Sequence, residues 1–219
     1  MDRQPFVHAE LVSQPDCWRR AVEAAARSQG LLPRDGERVA VVGCGTSWFM
    51  AQAYASLRES GGRGETDAFA ASEMPRGRSY DRLLAITRSG TTTEVLTLLQ
   101  QARGRQPTLV VTGDPASAVT GAADQTIVLD FADERSVVQT RFATTTLALL
   151  RASLGQDLGP AIGQADQATA VQLPAARLPE ATALVVSGSL PPRRQRRRLR
   201  PARAPGRRPP GHRPGRYRR

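Results

Sequence analysis

The 219-residue chain contains no lysine. This excludes a nucleotide-phosphate loop of the Gly-Lys-Ser/Thr type, whose lysine reaches the phosphates. Aromatic residues make up only 5 % of the chain, so any core must rest on Val, Leu, Ile and Ala. There are two cysteines, Cys17 and Cys44, in unlike surroundings. That is too few for a disulfide framework and points to reduced thiols in a cytoplasmic setting. No apolar run reaches the length of about 18 residues that a membrane helix needs. The N-terminus lacks a basic stretch followed by an apolar one, so neither a signal peptide nor a membrane partner is expected.

What is abundant is arginine, and its location matters more than the net charge of +11. Pro191–Arg219 holds 13 arginines, 7 prolines and no acidic residue. Residues 1–190 carry 18 arginines against 20 acidic residues, so that part is close to neutral. The basic segment has too few apolar groups to bury and reads as a disordered Arg/Pro-rich tail.

The rest alternates in period. Pro15–Ser28 reads as a helix with Trp18, Ala21, Val22 and Ala25 on one face. Arg38–Val42 is a short continuous apolar run, typical of a buried parallel strand. A turn, Gly43-Cys44-Gly45-Thr46-Ser47, leads to a helix over Trp48–Ser60 with Met50, Ala53, Tyr54 and Leu57 inward. Further strands are predicted at Thr66–Ala70, Leu83–Thr87, Thr108–Thr112 and Thr126–Leu129. Helices are predicted at Glu94–Arg103, Ala116–Ala123 and Thr140–Leu154. Strands alternating with helices at this spacing argue for an α/β fold, a five-stranded parallel sheet with helices on both faces. Gly155–Pro179 reads as a linker with a weak helix, and Ala183–Val186 with Ser187-Gly188-Ser189 opens like another strand and turn. The domain expectation is a helical lead-in over 1–35, a binding domain over 36–155, a linker over 156–180, an incomplete second unit over 181–190 and the tail over 191–219.

In an open α/β sheet, ligands bind beyond the carboxyl ends of the strands. Two such ends carry hydroxyl-rich turns, Gly45-Thr46-Ser47 and Thr87-Arg88-Ser89-Gly90-Thr91-Thr92, each entering a helix. Free N–H groups and the helix dipole favour an anion there, and Ser and Thr hydroxyls add donors. A phosphate suits such a place. Gly43-x-Gly45 also resembles a dinucleotide fingerprint, but Trp48 stands where that motif needs a small residue, so no NAD or FAD is expected. Plain helix capping is the other reading of these hydroxyls. Two such turns in one sheet weigh against it. Cys44 has no histidine near it in sequence and reads as a packing residue; His8 and His212 lie near the termini and read as solvated. No metal ligands or cofactor are expected.

Four segments, in order, resemble the SIS (sugar isomerase) domain family, whose fold is a flavodoxin-like three-layer sandwich. Ala9–Pro15 is similar to an "E-I-x-x-Q-P" lead-in. Gly43–Ser47 matches "G-C-G-T-S", Ala71-Ser72-Glu73 matches "A-S-E", and Thr87–Glu94 resembles "S-R/Q-S-G-x-T-x-E". A fifth, Glu134–Arg141, resembles "E-x-S-V-x-x-T-R". The resemblance spans about residues 8–155. It extends to ketose/aldose-phosphate isomerases, amino-sugar-phosphate deaminases and the isomerase half of a glutamine–fructose-6-phosphate transaminase.

The resemblance implies that Gly45, Thr46, Ser47, Thr87, Ser89, Gly90 and Thr92 hold a phosphosugar such as fructose-6-phosphate or glucosamine-6-phosphate. It also implies that the backbone near Val137 closes the pocket, and that the protein is a homodimer. Thr87 stands where serine is usual, which keeps the hydroxyl. Arg88 reads equally as a charge-assisted phosphate contact or as a solvated side chain. Glu73 reads as an acceptor for backbone amides rather than a sugar contact.

Isomerisation or deamination needs an acid–base group, and no catalytic Glu, His or Lys can be mapped onto this chain. The resemblance places those groups in a second unit, which begins at Ala183–Ser189 and breaks off. Arg, Pro, Gly and Ala are what GC-rich codons yield in almost any frame, so a reading-frame shift near Ser187–Pro192 is one expectation, testable by translating the other two frames. The other is a genuine arginine-rich arm that binds nucleic acid without sequence preference. A non-catalytic phosphosugar-sensing module is a third reading of the chain.

Overall fold

The computed structural model describes residues 5–75, 77–136 and 139–171. The readings of Val137 and of everything from residue 172 onward, including the second unit and the tail, lie outside those residues.

Five strands form one wholly parallel sheet: β1 (Val39–Gly43), β2 (Thr66–Ala70), β3 (Arg82–Thr87), β4 (Thr108–Thr112) and β5 (Gln125–Val128), in the order β2-β1-β3-β4-β5. The three inner strands are buried along their length, whereas β2 and β5 are partly exposed edges. Residues two apart share a face, so the sheet feeds two cores. Val39, Val41, Leu84, Ile86, Leu109 and Val111 face one side, where α2 (Gln14–Arg27), α3 (Thr46–Ser60) and α6 (Arg141–Ser153) pack. Ala40, Val42, Leu83, Ala85 and Val110 face the other, covered by α4 (Thr93–Ala102) and the short α5 (Val119–Ala122). Fully burying a side chain such as Leu99 or Leu149 contributes about 1.5–3 kcal/mol.

Element positions agree with the sequence reading to within a few residues. The lead-in, read as helical, begins with α1 (Pro5–Val12), and the stretch read as a linker with a weak helix holds α7 (Gly159–Ala170). The inward faces of two helices are turned from those expected. On α2, Val22 is exposed and Cys17, Ala21, Ala24 and Ala25 are buried. On α3, the buried set is Ser47, Ala51, Tyr54, Ala55, Ser56 and Arg58 rather than one centred on Met50, Ala53 and Leu57. Small residues let these helices lie close to their neighbours, which pushes the larger apolar side chains to the edges of the contact.

Arg58 is wholly buried, and among the described residues its acceptors are two backbone carbonyls and a hydroxyl rather than a carboxylate. It donates to the carbonyls of Arg34 and Glu37 (2.9 Å to the latter) and to Thr66 Oγ1 at 2.8 Å. It thereby pins the end of α3 to the turn before β1 and to the start of β2.

Candidate functional site

The chain goes from β1 outward to β2, then crosses back to place β3 on the other side of β1. The carboxyl ends of β1 and β3 are therefore neighbours, with Gly43 paired to Ile86. This reversal is the place where an open parallel sheet leaves a crevice. Both hydroxyl-rich turns open into it.

Gly43 makes the first turn possible. A Cβ at this position would lie 2.7 Å from the Ser47 carbonyl carbon and 2.9 Å from its Cβ. Helix α3 thus begins in direct contact with the end of β1, and only glycine allows it. At the second turn, Gly90 takes φ +62°, and a Cβ there would meet Ser117 Oγ at 2.1 Å. Gly90 is buried against α5 and shapes the turn rather than the cleft wall.

The two turns enclose a cleft of about 70 Å³ lined by Cys44, Ser47, Ile86, Thr87, Arg88, Ser89, Thr92 and Gln139. Ser47 is 2 % exposed, and its hydroxyl makes no hydrogen bond among the described residues. Thr87 Oγ1 and Thr92 Oγ1 are 3.3 Å apart, and Ser89 Oγ lies 3.0 Å from Thr91 Oγ1. Neither α3 nor α4 has a side-chain cap at its N-cap residue, Gly45 and Thr92 respectively. The capping reading of these hydroxyls is therefore not what is found. Two helix N-termini and a set of hydroxyl donors face one small space, as an anion requires.

Of the residues expected from sequence, Ser47, Thr87, Ser89 and Thr92 share the cleft wall, and Arg88 joins them. Thr46, half-buried, and the exposed Gly45 lie in the first turn but off the wall. Glu73, in a single 3-10 turn over Ala71–Glu73, is exposed and accepts no backbone amide among the described residues. The acceptor role expected for it belongs to Glu10 and Glu134 instead.

Arg88 is neither free in solvent nor simply aimed at the cleft. Its guanidinium donates to Asp133 Oδ1 at 3.3 Å and to the Glu134 carbonyl. Its own carbonyl accepts the Gly113 amide at 3.0 Å and Thr112 Oγ1 at 3.1 Å. The residue joins the turn after β3, the end of β4 and the loop before α6.

That loop is held from two sides by carboxylates. Glu134, 2 % exposed, accepts the amides of Thr140, Arg141 (3.1 Å) and Phe142 (3.0 Å) and the Thr140 hydroxyl at 2.6 Å. The N-terminus of α6 is thus capped internally, unlike those of α3 and α4. Glu10, on α1, accepts the amides of Arg135 at 2.6 Å and Ser136 at 3.2 Å, and the Ser136 hydroxyl. Burial alone would raise the Glu10 pKa. The Ser136 and Arg135 hydrogen bonds and the charge of Arg141 outweigh it, and the net pKa lies below that of a free glutamate. The loop so held delivers Gln139 to the cleft wall. Gln139 lies within the fifth motif of the sequence, but nothing in its residue type singled it out.

Cys44 sits in the wall, yet its thiol pKa is raised, chiefly by burial and further by the charge of Glu94, against an opposing backbone bond from Ala71. A protonated thiol is a poor nucleophile, which agrees with a packing role. Among the described residues, no cluster of His, Cys, Asp or Glu could hold a metal ion.

A family model, the SIS domain, matches residues 34–154. The chain belongs to that family. A glutamine–fructose-6-phosphate aminotransferase (isomerizing) of Geobacillus kaustophilus is 27 % identical over 157 residues, which cover 68 % of this chain and 26 % of that protein. This chain therefore spans about a quarter of that relative. Among solved structures, the tagatose-6-phosphate ketose/aldose isomerase of Escherichia coli superposes with a TM-score of 0.61 at 20 % identity, over 74 % of this chain and 52 % of that one. The NanR protein of Vibrio vulnificus, solved with ManNAc-6P, gives 0.50 at 20 % identity, over 81 % and 69 %. These likenesses establish the fold.

Proposed function

We propose that the crevice between β1 and β3 binds the phosphate of a sugar phosphate, and that this chain is the binding unit of a sugar-phosphate isomerase or amino-sugar-phosphate deaminase. The observation that carries the reading is the shared cleft, where two helix N-termini without side-chain caps converge with Ser47, Thr87, Ser89 and Thr92. Fructose-6-phosphate and glucosamine-6-phosphate are the ligands of choice, in keeping with the family and with the phosphosugars named for its relatives. Phosphate esters suit a site of neutral donors at helix ends, which needs no lysine.

Among the described residues, the cleft lining holds no Asp, Glu or His, so these residues can bind and orient but offer no base for proton transfer. The acid–base group of an isomerase would come from residues beyond those described, where the reading places a second unit at 181–190 following a binding unit at 36–155. The same lack of a base favours the second reading, a phosphosugar-sensing module without turnover. A homodimer belongs to the proposal. It is supported by exposed apolar side chains on the described unit, Phe6, Leu11 and Phe49 among them. A cytoplasmic setting is supported by the free thiols of Cys17 and Cys44. No described helix is long and apolar enough to cross a membrane.

Thermal-shift titration of the full chain tests the binding claim. A ligand that binds only the folded state stabilises it by RT ln(1 + [L]/Kd), about 2.7 kcal/mol at a hundredfold excess over Kd. Fructose-6-phosphate or glucosamine-6-phosphate should raise Tm in a dose-dependent way. No shift with either overturns the proposal. Product formation under the same conditions separates the isomerase reading from the sensing one.

A further inference from the structure

Gln139 lines the cleft from the loop before α6, and its Oε1 is buried without a hydrogen-bond partner among the described residues. Leaving a buried acceptor unpaired costs about 1–3 kcal/mol. The other polar side chains of the wall can all donate: the hydroxyls of Ser47, Thr87, Ser89 and Thr92, the Arg88 guanidinium and, weakly, the Cys44 thiol. A phosphate dianion consists of acceptors and suits that set. It cannot satisfy a carboxamide oxygen, and two acceptors face to face repel. An ion filling the cleft would leave Oε1 as poorly served as before. A donor carried by the ligand beside its phosphate would serve it.

We infer that Gln139 is a specificity-determining residue: its Oε1 accepts a hydrogen bond from a hydroxyl or amino group close to the phosphate ester. The cleft then selects a hydroxylated or aminated organic phosphate over inorganic phosphate and over a plain alkyl phosphate. This rests on the reading of the cleft as a phosphate site and adds what that site recognises besides phosphate. Discrimination of this kind comes from the penalty of an unpaired buried polar group, which an alkyl ligand leaves in place.

The test is calorimetric titration of the full chain with inorganic phosphate, n-propyl phosphate and fructose-6-phosphate. The wild type should favour fructose-6-phosphate over propyl phosphate by about tenfold or more, the factor that one recovered hydrogen bond supplies. Gln139→Leu keeps the length of the side chain without its acceptor. It should narrow that preference to within about twofold, read as the ratio of the two Kd values within each protein. Gln139→Ala is read in the same way if the leucine variant does not fold. A preference that survives either substitution, or a wild type that has none, overturns the inference while the phosphate site stands. A wild type that binds none of the three overturns the phosphate-site reading, and this inference with it.

Discussion

The Glu10 carboxylate accepts the backbone amide of Arg135 at 2.6 Å, joining the first helix to the loop that carries Gln139 into the cleft. The two residues are 125 apart in sequence, and Glu10 lies outside the stretch matched by the family model. The first helix is therefore tied to the loop that carries Gln139.

This link should be sensitive to acid. The Glu10 pKa is depressed in the folded state, so its contribution is complete above the pKa of an unfolded glutamate, about 4.3. It is lost as the pH falls from there through the folded value. Glu37, paired with Arg82, and Asp124, bonded to Thr108, are shifted in the same direction. Tm should fall steeply below about pH 4.5. Glu10→Gln should lower Tm at neutral pH and flatten the acid limb. A melting curve of that variant with the wild-type acid slope would show that Glu10 is not a source of it.

Ser47 and Ser89 approach the cleft from different turns. Replacing both by alanine should weaken fructose-6-phosphate binding by about 3 kcal/mol or more, at least about a hundredfold in Kd, since each hydrogen bond to an ionised group contributes about 1.5–3 kcal/mol. Neither side chain holds the fold together, so circular dichroism and Tm should be little changed. Titration of the double variant against the wild type decides the matter.

Gly43→Ala is expected to be far more damaging than its size suggests. The added methyl group would meet the Ser47 backbone at 2.7 Å, and backbone cannot rotate away as a side chain can. Helix α3 would have to shift from β1, taking Ser47 out of place. Stability should drop by about 1–3 kcal/mol, in the range for overpacking, and phosphate binding should be lost with it. Chemical denaturation and ligand titration report the two effects separately.

Arg88→Met removes the bridge to Asp133 and Glu134 while keeping most of the side-chain length. The Arg88 side chain is 28 % exposed and Asp133 45 %, so the ion pair itself contributes little. The lost bond to the Glu134 carbonyl should matter more. Hydrogen exchange should accelerate at the amides of Arg135 and Ser136, next to that carbonyl. Unchanged exchange there would mean that Arg88 does not restrain the loop.

Arg58→Leu offers a contrast away from the site. It leaves the buried Thr66 Oγ1 and the carbonyls of Arg34 and Glu37 without their donor. A buried group that loses its partner costs about 1–3 kcal/mol, so the midpoint of urea unfolding should fall markedly. Phosphate affinity, measured well below the new Tm, should stay near the wild-type value.

Period and turn chemistry are local properties, and they made the five strands, the long helices and the two hydroxyl turns legible from the residues. Thr66–Ala70 and Thr108–Thr112 are strands at the predicted limits. Ser47, Thr87, Ser89 and Thr92 were all in view because each lies beside a glycine or within a turn at a strand end. The buried faces of α2 and α3 differ from the hydrophobic pattern because hydrophobicity alone favours the largest apolar residues. Close helix packing instead selects small ones, and admits Arg58 because both its terminal guanidinium nitrogens find acceptors.

The amino-acid sequence by itself determined that this is a parallel α/β unit with two anion-suited turns. Only the tertiary structure decided that the turns meet. Strand order is set by how the crossovers pack, a long-range matter that no window of sequence records. It puts β3 beside β1 and so makes one cleft of two distant turns. The same holds for Glu10, Glu134 and Gln139. Their roles come from backbone amides and an unpaired oxygen brought near by folding, and residue type alone carries no trace of them.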